Sequence, residues 1–243
     1  MIDLQVNTVS KTFGGNLAVN EVSIRVDGPQ LIGLIGPNGA GKTTLTNLMS
    51  GMLRPSGGTV YLNKKRIDGL KPYEVAKAGL GRTFQVTRAL RRMTVMENMM
   101  VPALAMHPRA NRKELEEKAG EVLNFLTISH LTNELGRALS GGQQKLLELA
   151  RLLMLDPAVI ILDEPFAGVH PSLQETIYGY IDRVYNEGKA IILISHDMDA
   201  VFELSQRLIV LNWGTMIADG PAADVRNDPA VIEAYLGVDE DDG

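Results

Sequence analysis

The segment QLIGLIGPNGAGKTT, residues 30–44, gives the strongest indication of how this chain folds. It joins an apolar run with strand character to the pattern G-x-x-x-x-G-K-[ST], and the helical pattern KTTLTNLMSGML follows. Glycines in such a loop let consecutive backbone N–H groups converge on an anion, because side chains would block the approach. The helix that begins near Lys42 adds the positive end of its dipole. The segment therefore predicts a phosphate-binding loop.

The loop gives particular residues a predicted chemistry. The Lys42 ammonium is expected to reach the β- and γ-phosphates of a nucleotide, and the Thr43 hydroxyl is expected to ligate Mg²⁺. A glycine-rich turn that matches by chance is the alternative, and the flanking strand and helix disfavour it. The candidate nucleotide-binding residues of the loop are Gly36, Pro37, Asn38, Gly39, Ala40, Gly41, Lys42, Thr43 and Thr44.

Three short apolar runs predict strands that are buried on both faces. They are QLIGLIG (30–36), AVIILDE (158–164) and KAIILISH (189–196). Helical patterns follow the first two runs, and alternation of strand and helix is typical of parallel sheets. The predicted fold class is therefore α/β, with a P-loop NTPase core built on a mostly parallel sheet.

Other segments predict two additions to this core. Residues 3–27 alternate in polarity as two strands, and residues 59–67 look like a third strand of this kind, which predicts an N-terminal antiparallel β subdomain. Residues 86–138 lack a strong strand signal and have helical patterns, which predicts an α-helical insert. The expected organisation is a single domain over 1–243, with a nucleotide-binding core of 1–85 and 139–243 and a helical subdomain of 86–138.

Composition and charge narrow the function classes. The net charge of −5 argues against a nucleic-acid partner, for which a basic imbalance is typical. The absence of cysteine excludes disulfides and cysteine metal sites, and it fits a reducing cytoplasm. The N-terminus lacks a signal-peptide pattern, and the longest apolar runs are about five residues, whereas a membrane span needs about twenty. Any membrane role is therefore expected to depend on a partner chain.

Two carboxylates end the predicted strand VIILDEP (159–165). Asp163 and Glu164 follow each other in an extended strand, so they point to opposite sides and need not share a role. In P-loop enzymes an Asp at this place holds Mg²⁺. Glu164 is placed to polarise the water that attacks the γ-phosphate. A pair of solvated acids at a strand end is the alternative, and the preceding phosphate loop disfavours it.

A second turn suited to anions lies at LSGGQQK (139–145). Ser140 is a natural N-cap for the apolar helical pattern that follows. Gly141 and Gly142 permit a phosphate to approach the helix N-terminus closely. The alternative is an ordinary capped helix without a ligand. The chain therefore carries two candidate phosphate-binding turns.

Together these motifs resemble the ATP-binding-cassette (ABC) ATPases. The order and approximate spacing of that family are found, over essentially the whole chain, in GPNGAGKTT, Gln85, LSGGQ, ILDEP and His196. The resemblance implies ATP hydrolysis with ATP and Mg²⁺ as cofactors. It also implies a dimer, because the signature turn of the family closes over the γ-phosphate held by the other subunit. The residues that match this signature turn are Ser140, Gly141, Gly142 and Gln143.

The resemblance also implies roles for residues that chemistry alone leaves open. Gln85 matches a glutamine that touches Mg²⁺ and the attacking water, and His196 matches a histidine that contacts the γ-phosphate and orients the catalytic Glu164. Outside this frame Gln85 would be taken for a surface residue, and His196 for a hydrogen-bonded residue at a strand end. The implied catalytic residues are therefore Glu164, His196 and Gln85, and the implied metal ligands are Thr43, Gln85 and Asp163.

Three further positions concern the edges of the site. Phe13 matches the aromatic that stacks on adenine in the family, although an aromatic in strand-rich sequence is often a core residue. Val19 lies near the position expected to face the ribose. His170 is a departure, because the family usually has an acid or an Asn in the loop that follows the catalytic glutamate. The use of that loop for contacts between two sites is therefore in doubt.

Four local segments resemble the ATPases of branched-chain amino acid importers. They are GRTFQ (81–85), MTVMENMMVPAL (93–104), AGVHP (167–171) and AYLG (234–237). The resemblance implies transmembrane permease subunits and a second ATPase subunit as partners, no nucleic acid, and a cytoplasmic position, peripheral on the inner face of the cell membrane through those partners. Urea or amide importers and lipopolysaccharide exporters share much of this pattern, so they remain alternatives.

Two other function classes also remain as alternatives. A soluble cassette protein of DNA maintenance or translation is disfavoured by the single cassette and the acidic balance. A GTPase is disfavoured because NKKR (63–66) lacks the Asp of a guanine-reading motif. For an importer ATPase, the helices of 86–138 are expected to dock on a permease. Methionines 93, 96, 99 and 100 in that region are then either adaptable interface or core filling.

Overall fold

The computed structural model describes residues 2–83 and 89–236. The strands are β1 (Asp3–Phe13), β2 (Asn16–Asp27), β3 (Leu31–Ile35), β4 (Gly57–Leu62), β5 (Lys65–Arg66), β6 (Leu80–Arg82), β7 (Val159–Asp163), β8 (Ala190–Ile194), β9 (Arg207–Asn212) and β10 (Thr215–Pro221). The helices are α1 (Lys42–Met49), α2 (Pro72–Ala78), α3 (Val95–Met106), α4 (Arg112–Phe125), α5 (Gly141–Leu155), α6 (Pro171–Asn186), α7 (Met198–Leu204), α8 (Ala222–Val225) and α9 (Pro229–Leu236). Short 3-10 helices occur at Ser129–Leu131 and Gly136–Ala138.

The larger sheet is mostly parallel and carries the functional edge of the molecule. Its strand order is β10-β9-β3-β8-β7-β6, and only β10 runs antiparallel, beside β9, among the described strands. Every residue of β3, β7 and β8 is buried, which explains their uninterrupted apolar sequences. The predicted α/β fold is confirmed. Because parallel strands end at the same edge, the residues that follow β3, β7 and β8 come together there.

The smaller sheet is antiparallel, with strand order β2-β1-β4-β5. Its presence confirms the predicted N-terminal antiparallel addition. The prediction of one strand over 59–67 was wrong in detail, because Asn63 and Lys64 have positive φ angles of 51° and 67° and turn the chain between β4 and β5. Asn tolerates this left-handed conformation better than most residues do, and the segment becomes a short hairpin.

Two hydrophobic cores cover the two faces of the larger sheet. The core on one face contains residues of α3, α4, α5 and α6, and the core on the other face contains residues of α1 and of the antiparallel sheet. Neighbouring residues of β3 show the division, since Leu31 and Ile35 belong to the first core and Ile32 and Leu34 to the second. This alternation follows from the period of two in a strand.

The burial of the methionines in the helical region after residue 88 distinguishes core filling from an adaptable interface. Met99 is fully buried and Met100 nearly so, both in the core shared with α5. Met96 packs against the same core, whereas Met93 is 39% exposed. Core filling therefore accounts for most of this cluster. Among the residues that the structure describes, every helix is too short or too polar to cross a bilayer.

Candidate functional site

The phosphate loop leaves β3 at Ile35 and ends where α1 begins at Lys42. Gly36 has a φ of 147°, and a Cβ atom built on it would lie 2.1 Å from the carbonyl oxygen of Leu211. A Cβ atom on Gly41, whose φ is 99°, would lie 2.5 Å from the carbonyl oxygen of Ala18. Both contacts are with backbone, so no side-chain movement would relieve them. Glycine is therefore required at both ends of the loop.

The Lys42 side chain folds back over the loop. Its Nζ atom donates to the carbonyl oxygens of Gly36 and Pro37, the second at 3.0 Å. Burial lowers the pKa of the Lys42 ammonium, and the carboxylates of Glu164 and Asp163 oppose this change. The ammonium is thus held beside the loop amides by weak neutral acceptors, which an anionic ligand can displace.

Asp163 and Glu164 follow one another at the end of β7, and both are buried. The Asp163 carboxylate accepts from Arg82 Nη2 at 2.7 Å, and its backbone N–H donates to the Thr83 hydroxyl at 2.8 Å. Arg82 Nη1 also donates to the side chain of Asn47 on α1, at 2.7 Å. Arg82 therefore ties the strand-end carboxylate to the helix that follows the phosphate loop.

Glu164 has left the strand conformation, since its φ is 50°. Its carboxylate contacts His196, with 3.4 Å from Oε1 to the ring Nε2 and 3.3 Å from Oε2 to the backbone N–H. Burial raises the pKa of Glu164, and the neighbouring His196 opposes the rise. A carboxylate that is desolvated and hydrogen-bonded in this way is suited to accept a proton.

A cavity of about 260 Å³ joins these groups at the carboxyl edge of the sheet. Its lining residues are Ala18, Asn38, Gly39, Ala40, Gly41, Lys42, Thr43, Thr44, Asp163, Glu164, Ile194 and His196. The structure therefore brings together most of the phosphate loop, both carboxylates and His196. The predicted role of Gln85 lies outside the described residues.

The turn at Ser140 lies apart from this cavity. The Ser140 hydroxyl accepts from the backbone N–H of Gln143 at 3.3 Å, and the Gln143 side chain accepts from the Ser140 N–H at 2.9 Å. This reciprocal capping box fixes the N-terminus of α5. Ser140 is exposed, and Gly141 has no atom within 4 Å of a built Cβ atom. The capped N-terminus of α5 is thus left open to solvent, and Ser140, Gly141, Gly142 and Gln143 do not line the cavity of their own chain.

The predicted adenine and ribose positions differ in exposure. Phe13 is 47% exposed at the end of β1, and the Lys11 ammonium lies 5.2 Å from its ring centroid. One aromatic surface is therefore open for stacking. Val19 is fully buried, and one of its methyl carbons lies 3.6 Å from a Cβ atom built on Gly41, so the side chain lies beside the loop. Ala18 lines the cavity instead, and the sequence carries no signal for it.

His170 replaces an acid without loss of local structure. It is the N-cap of α6, and its Nδ1 atom accepts from the backbone N–H of Ser172 at 3.3 Å. An Asp or Asn at an N-cap makes the same bond through its oxygen. The departure noted in the sequence is therefore compatible with the ordinary start of this helix.

We expect Arg82→Met to lower the free energy of unfolding by about 3–5 kcal/mol, because the buried Asp163 carboxylate would lose its ion-pair partner. Urea titration followed by circular dichroism measures the change. Arg112→Met is the matched control, since Arg112 pairs with Glu116 on the exposed face of α4 and should contribute about 0.5 kcal/mol or less. Equal losses in the two variants would contradict a structural role for the Arg82 pair.

Comparisons with known proteins extend these observations. A family profile described as ABC transporter matches residues 19–167, and one described as branched-chain amino acid ATP-binding cassette transporter matches residues 215–241. The chain is 38% identical over 248 residues to the high-affinity branched-chain amino acid transport ATP-binding protein LivG of Escherichia coli, with 96% of this chain and 97% of that protein covered.

Two solved structures are similar over most of the chain. The ADP conformation of an ATP-binding cassette of an ABC transporter has a TM-score of 0.83 and 35% sequence identity, with 98% of this chain and 99% of that chain covered. The dimeric structure of a bacterial ABC transporter cassette has a TM-score of 0.82 and 25% identity, with 90% and 98% covered.

Proposed function

Since the chain belongs to the ABC transporter family, we propose that it is an ATP-hydrolysing motor subunit that pairs with a second cassette around two ATP molecules and drives permease subunits. The observation that carries the proposal is the cavity in which Lys42, Asp163, Glu164 and His196 converge on a phosphate loop. A binding site for a triphosphate needs the ammonium and the loop amides, and hydrolysis needs a general base beside them.

ATP binding replaces the neutral acceptors of Lys42 with phosphate oxygens. The ammonium leaves the carbonyls of Gly36 and Pro37 and pairs with the β- and γ-phosphates, a charge-assisted bond about twice as strong as a neutral one. The N–H groups of the loop and of the first turn of α1 receive the remaining charge. Phe13 offers its exposed ring to the adenine.

The oxygen donors of the cavity fit Mg²⁺. The Thr43 hydroxyl and the Asp163 carboxylate both line it, and Mg²⁺ prefers such ligands together with phosphate oxygens and water. Among residues 2–83 and 89–236, no three acidic, His or Cys side chains are placed to hold a metal ion by themselves, so the nucleotide would complete the metal's coordination. Mg²⁺ held there would neutralise charge on the phosphates. We assign Gln85 to the metal and the attacking water on the resemblance alone.

Glu164 and His196 act on the water in our proposal. The Glu164 carboxylate takes a proton as the water oxygen bonds to the γ-phosphorus, and the bond from that phosphorus to the β,γ-bridging oxygen breaks. The products are ADP and inorganic phosphate. His196 holds Glu164 through its backbone N–H and faces it with its ring, so it fixes the orientation of the base.

In our proposal, the turn at Ser140 contacts the nucleotide that is held by a second cassette. It presents a capped helix end with two glycines, yet it does not line the cavity of its own chain. An anion held in that cavity by one subunit would meet the Ser140 turn of another. The dimeric cassette among the similar structures supports such a pairing. Closure of the cassette dimer then depends on the γ-phosphate, because ADP lacks this group and cannot bridge the two subunits.

We infer the cargo and the membrane partners from the similarity to the relatives. The similarity to the branched-chain amino acid transport ATP-binding protein and the match over 215–241 support branched-chain amino acid uptake. The helical subdomain of 86–138 would dock on permease subunits, and the chain would lie on the cytoplasmic face of the membrane through them.

Purification of the tagged chain from gently solubilised membranes should recover permease subunits and a second ATPase, identified by mass spectrometry. In liposomes that contain the purified complex, ATP hydrolysis should rise when a branched-chain amino acid and its binding protein are added, and urea should have no effect. Recovery of ribosomes or DNA in place of membrane proteins would contradict the transport function. Stimulation by urea alone would contradict the cargo.

A further inference from the structure

The Arg82 side chain joins the end of β7 to helix α1 in the interior of the molecule. It is 5% exposed, and the side chain of its ion-pair partner Asp163 is 7% exposed. Asp163 lines the cavity at the phosphate loop, whereas Arg82 does not. Any effect of Arg82 on a bound nucleotide must therefore pass through the residues that it holds.

The guanidinium of Arg82 donates to two elements at once. Its Nη2 atom donates to Asp163 Oδ2 at 2.7 Å. Its Nη1 atom donates to Asn47 Oδ1 at 2.7 Å and to the Ser50 hydroxyl at 3.2 Å. Asn47 lies on α1, and Ser50 is the C-cap of that helix. A guanidinium is planar and its donors point in fixed directions, so these bonds hold the end of β7 at a set distance from α1.

Each of these two elements carries one of the candidate protein ligands for Mg²⁺. Asp163 ends β7, and Thr43 lies in the first turn of α1. The backbone of Asp163 is fixed as well, because its N–H donates to the hydroxyl of the fully buried Thr83 at 2.8 Å. Mg²⁺ demands nearly ideal octahedral geometry, so the separation of the two protein oxygens decides how well the metal is held.

We propose that Arg82 is a positioning residue for the metal, which keeps the Asp163 carboxylate and the helix that carries Thr43 in the arrangement that Mg²⁺ needs beside the nucleotide. The proposal rests on the proposed ATP-binding function and goes beyond the stability that the ion pair contributes. Loss of a residue that orients a metal ligand typically weakens metal binding about 10- to 100-fold. Binding of ATP without metal relies on Lys42 and the loop amides, so it should not depend on Arg82.

The test compares the full-length purified chain with the variant Arg82→Lys, which keeps the positive charge and loses the planar fork. Isothermal titration calorimetry gives the Kd for ATP with EDTA and with excess Mg²⁺, and the first Kd divided by the second measures what the metal adds. We expect Arg82→Lys to lower this metal ratio about tenfold and to leave the Kd in EDTA within about twofold. The Mg²⁺ concentration that half-saturates ATP hydrolysis should rise by a similar factor.

Asn47→Ala tests the same contacts and leaves the buried ion pair in place. It removes an acceptor of Arg82 Nη1, and alanine favours a helix more than asparagine does, so this variant should fold even if Arg82→Lys does not. Its metal ratio should fall about two- to fivefold, within the range of one hydrogen bond. Arg207→Lys is the matched control, because Arg207 makes the same forked pair with Asp219, with both bonds at 2.6 Å, and neither residue lines the cavity. Its metal ratio should equal that of the wild type.

The outcomes separate this inference from the proposed function. A wild-type chain that binds ATP neither with Mg²⁺ nor with EDTA would contradict the proposed function. If the wild type binds ATP, the positioning role alone fails when Mg²⁺ does not tighten binding, or when Arg82→Lys and Asn47→Ala both keep the wild-type metal ratio. A lower melting temperature with an unchanged ratio would make Arg82 a stabilising residue only. An equal loss in Arg207→Lys would likewise overturn the inference.

Discussion

Glu164→Gln is expected to lower the rate of ATP hydrolysis about 10²- to 10⁴-fold, the usual contribution of a general base, while the Kd for ATP changes little. The amide keeps the shape of the carboxylate and an oxygen that can accept from the His196 N–H, so the cavity should keep its geometry. It cannot take a proton from water. Rates are measured by phosphate release at saturating MgATP, and ordinary turnover in this variant would assign the base to another residue.

The same variant should also accumulate the closed dimer. ATP that cannot be cleaved continues to bridge the cavity of one subunit and the Ser140 turn of the other, so gel filtration with MgATP should show a dimer peak. Adding Ser140→Arg should abolish this peak and spare ATP binding, because a bulky cation would replace the small capping hydroxyl at an exposed helix end. Ser129→Arg in the Glu164→Gln background places the same charge on an exposed site of a short 3-10 helix and should leave the dimer intact.

Lys42→Ala is expected to weaken MgATP binding about 10²- to 10³-fold, as is typical when one partner of a buried charge pair is removed. The Lys42 ammonium donates to two neutral carbonyls within the chain, so folding should depend on it far less than ATP binding does. Calorimetric titration measures the Kd for MgATP, and thermal unfolding without nucleotide measures the stability of the fold.

Lys65→Ala is the matched control for the lysine. Lys65 lies in the exposed hairpin strand β5 and carries the same charge. Both variants have the same net charge, so a general electrostatic effect would weaken ATP binding equally in the two. Wild-type affinity in Lys42→Ala would contradict the assignment of the phosphate loop.

The parts of the fold that the sequence predicted well are those specified by neighbours along the chain. The buried strands β3, β7 and β8 are continuous apolar runs, and the loop after β3 needs glycine where a built Cβ atom meets backbone. These constraints act over a few residues, so a short motif is enough to identify them. The confirmed α/β fold and ABC family follow from several such motifs in a fixed order.

The parts that the sequence did not predict depend on contacts between distant segments. Arg82 and Asp163 are 81 residues apart, and their pairing appears only when β6 lies beside β7. Ala18 lines the cavity because β2 passes next to the phosphate loop, and an alanine in a strand carries no signal of that position. The turn at Asn63 was missed because a strand pattern continues on both sides of it.

The backbone of Glu164 has one more implication. With a φ of 50° it occupies a conformation that costs an ordinary L-residue about 1–2 kcal/mol and costs glycine little. Thermal robustness and hydrolysis therefore favour different residues at this one position. Laboratory selection for heat tolerance alone would therefore favour glycine at position 164, and the resulting protein would be more stable but unable to hydrolyse ATP.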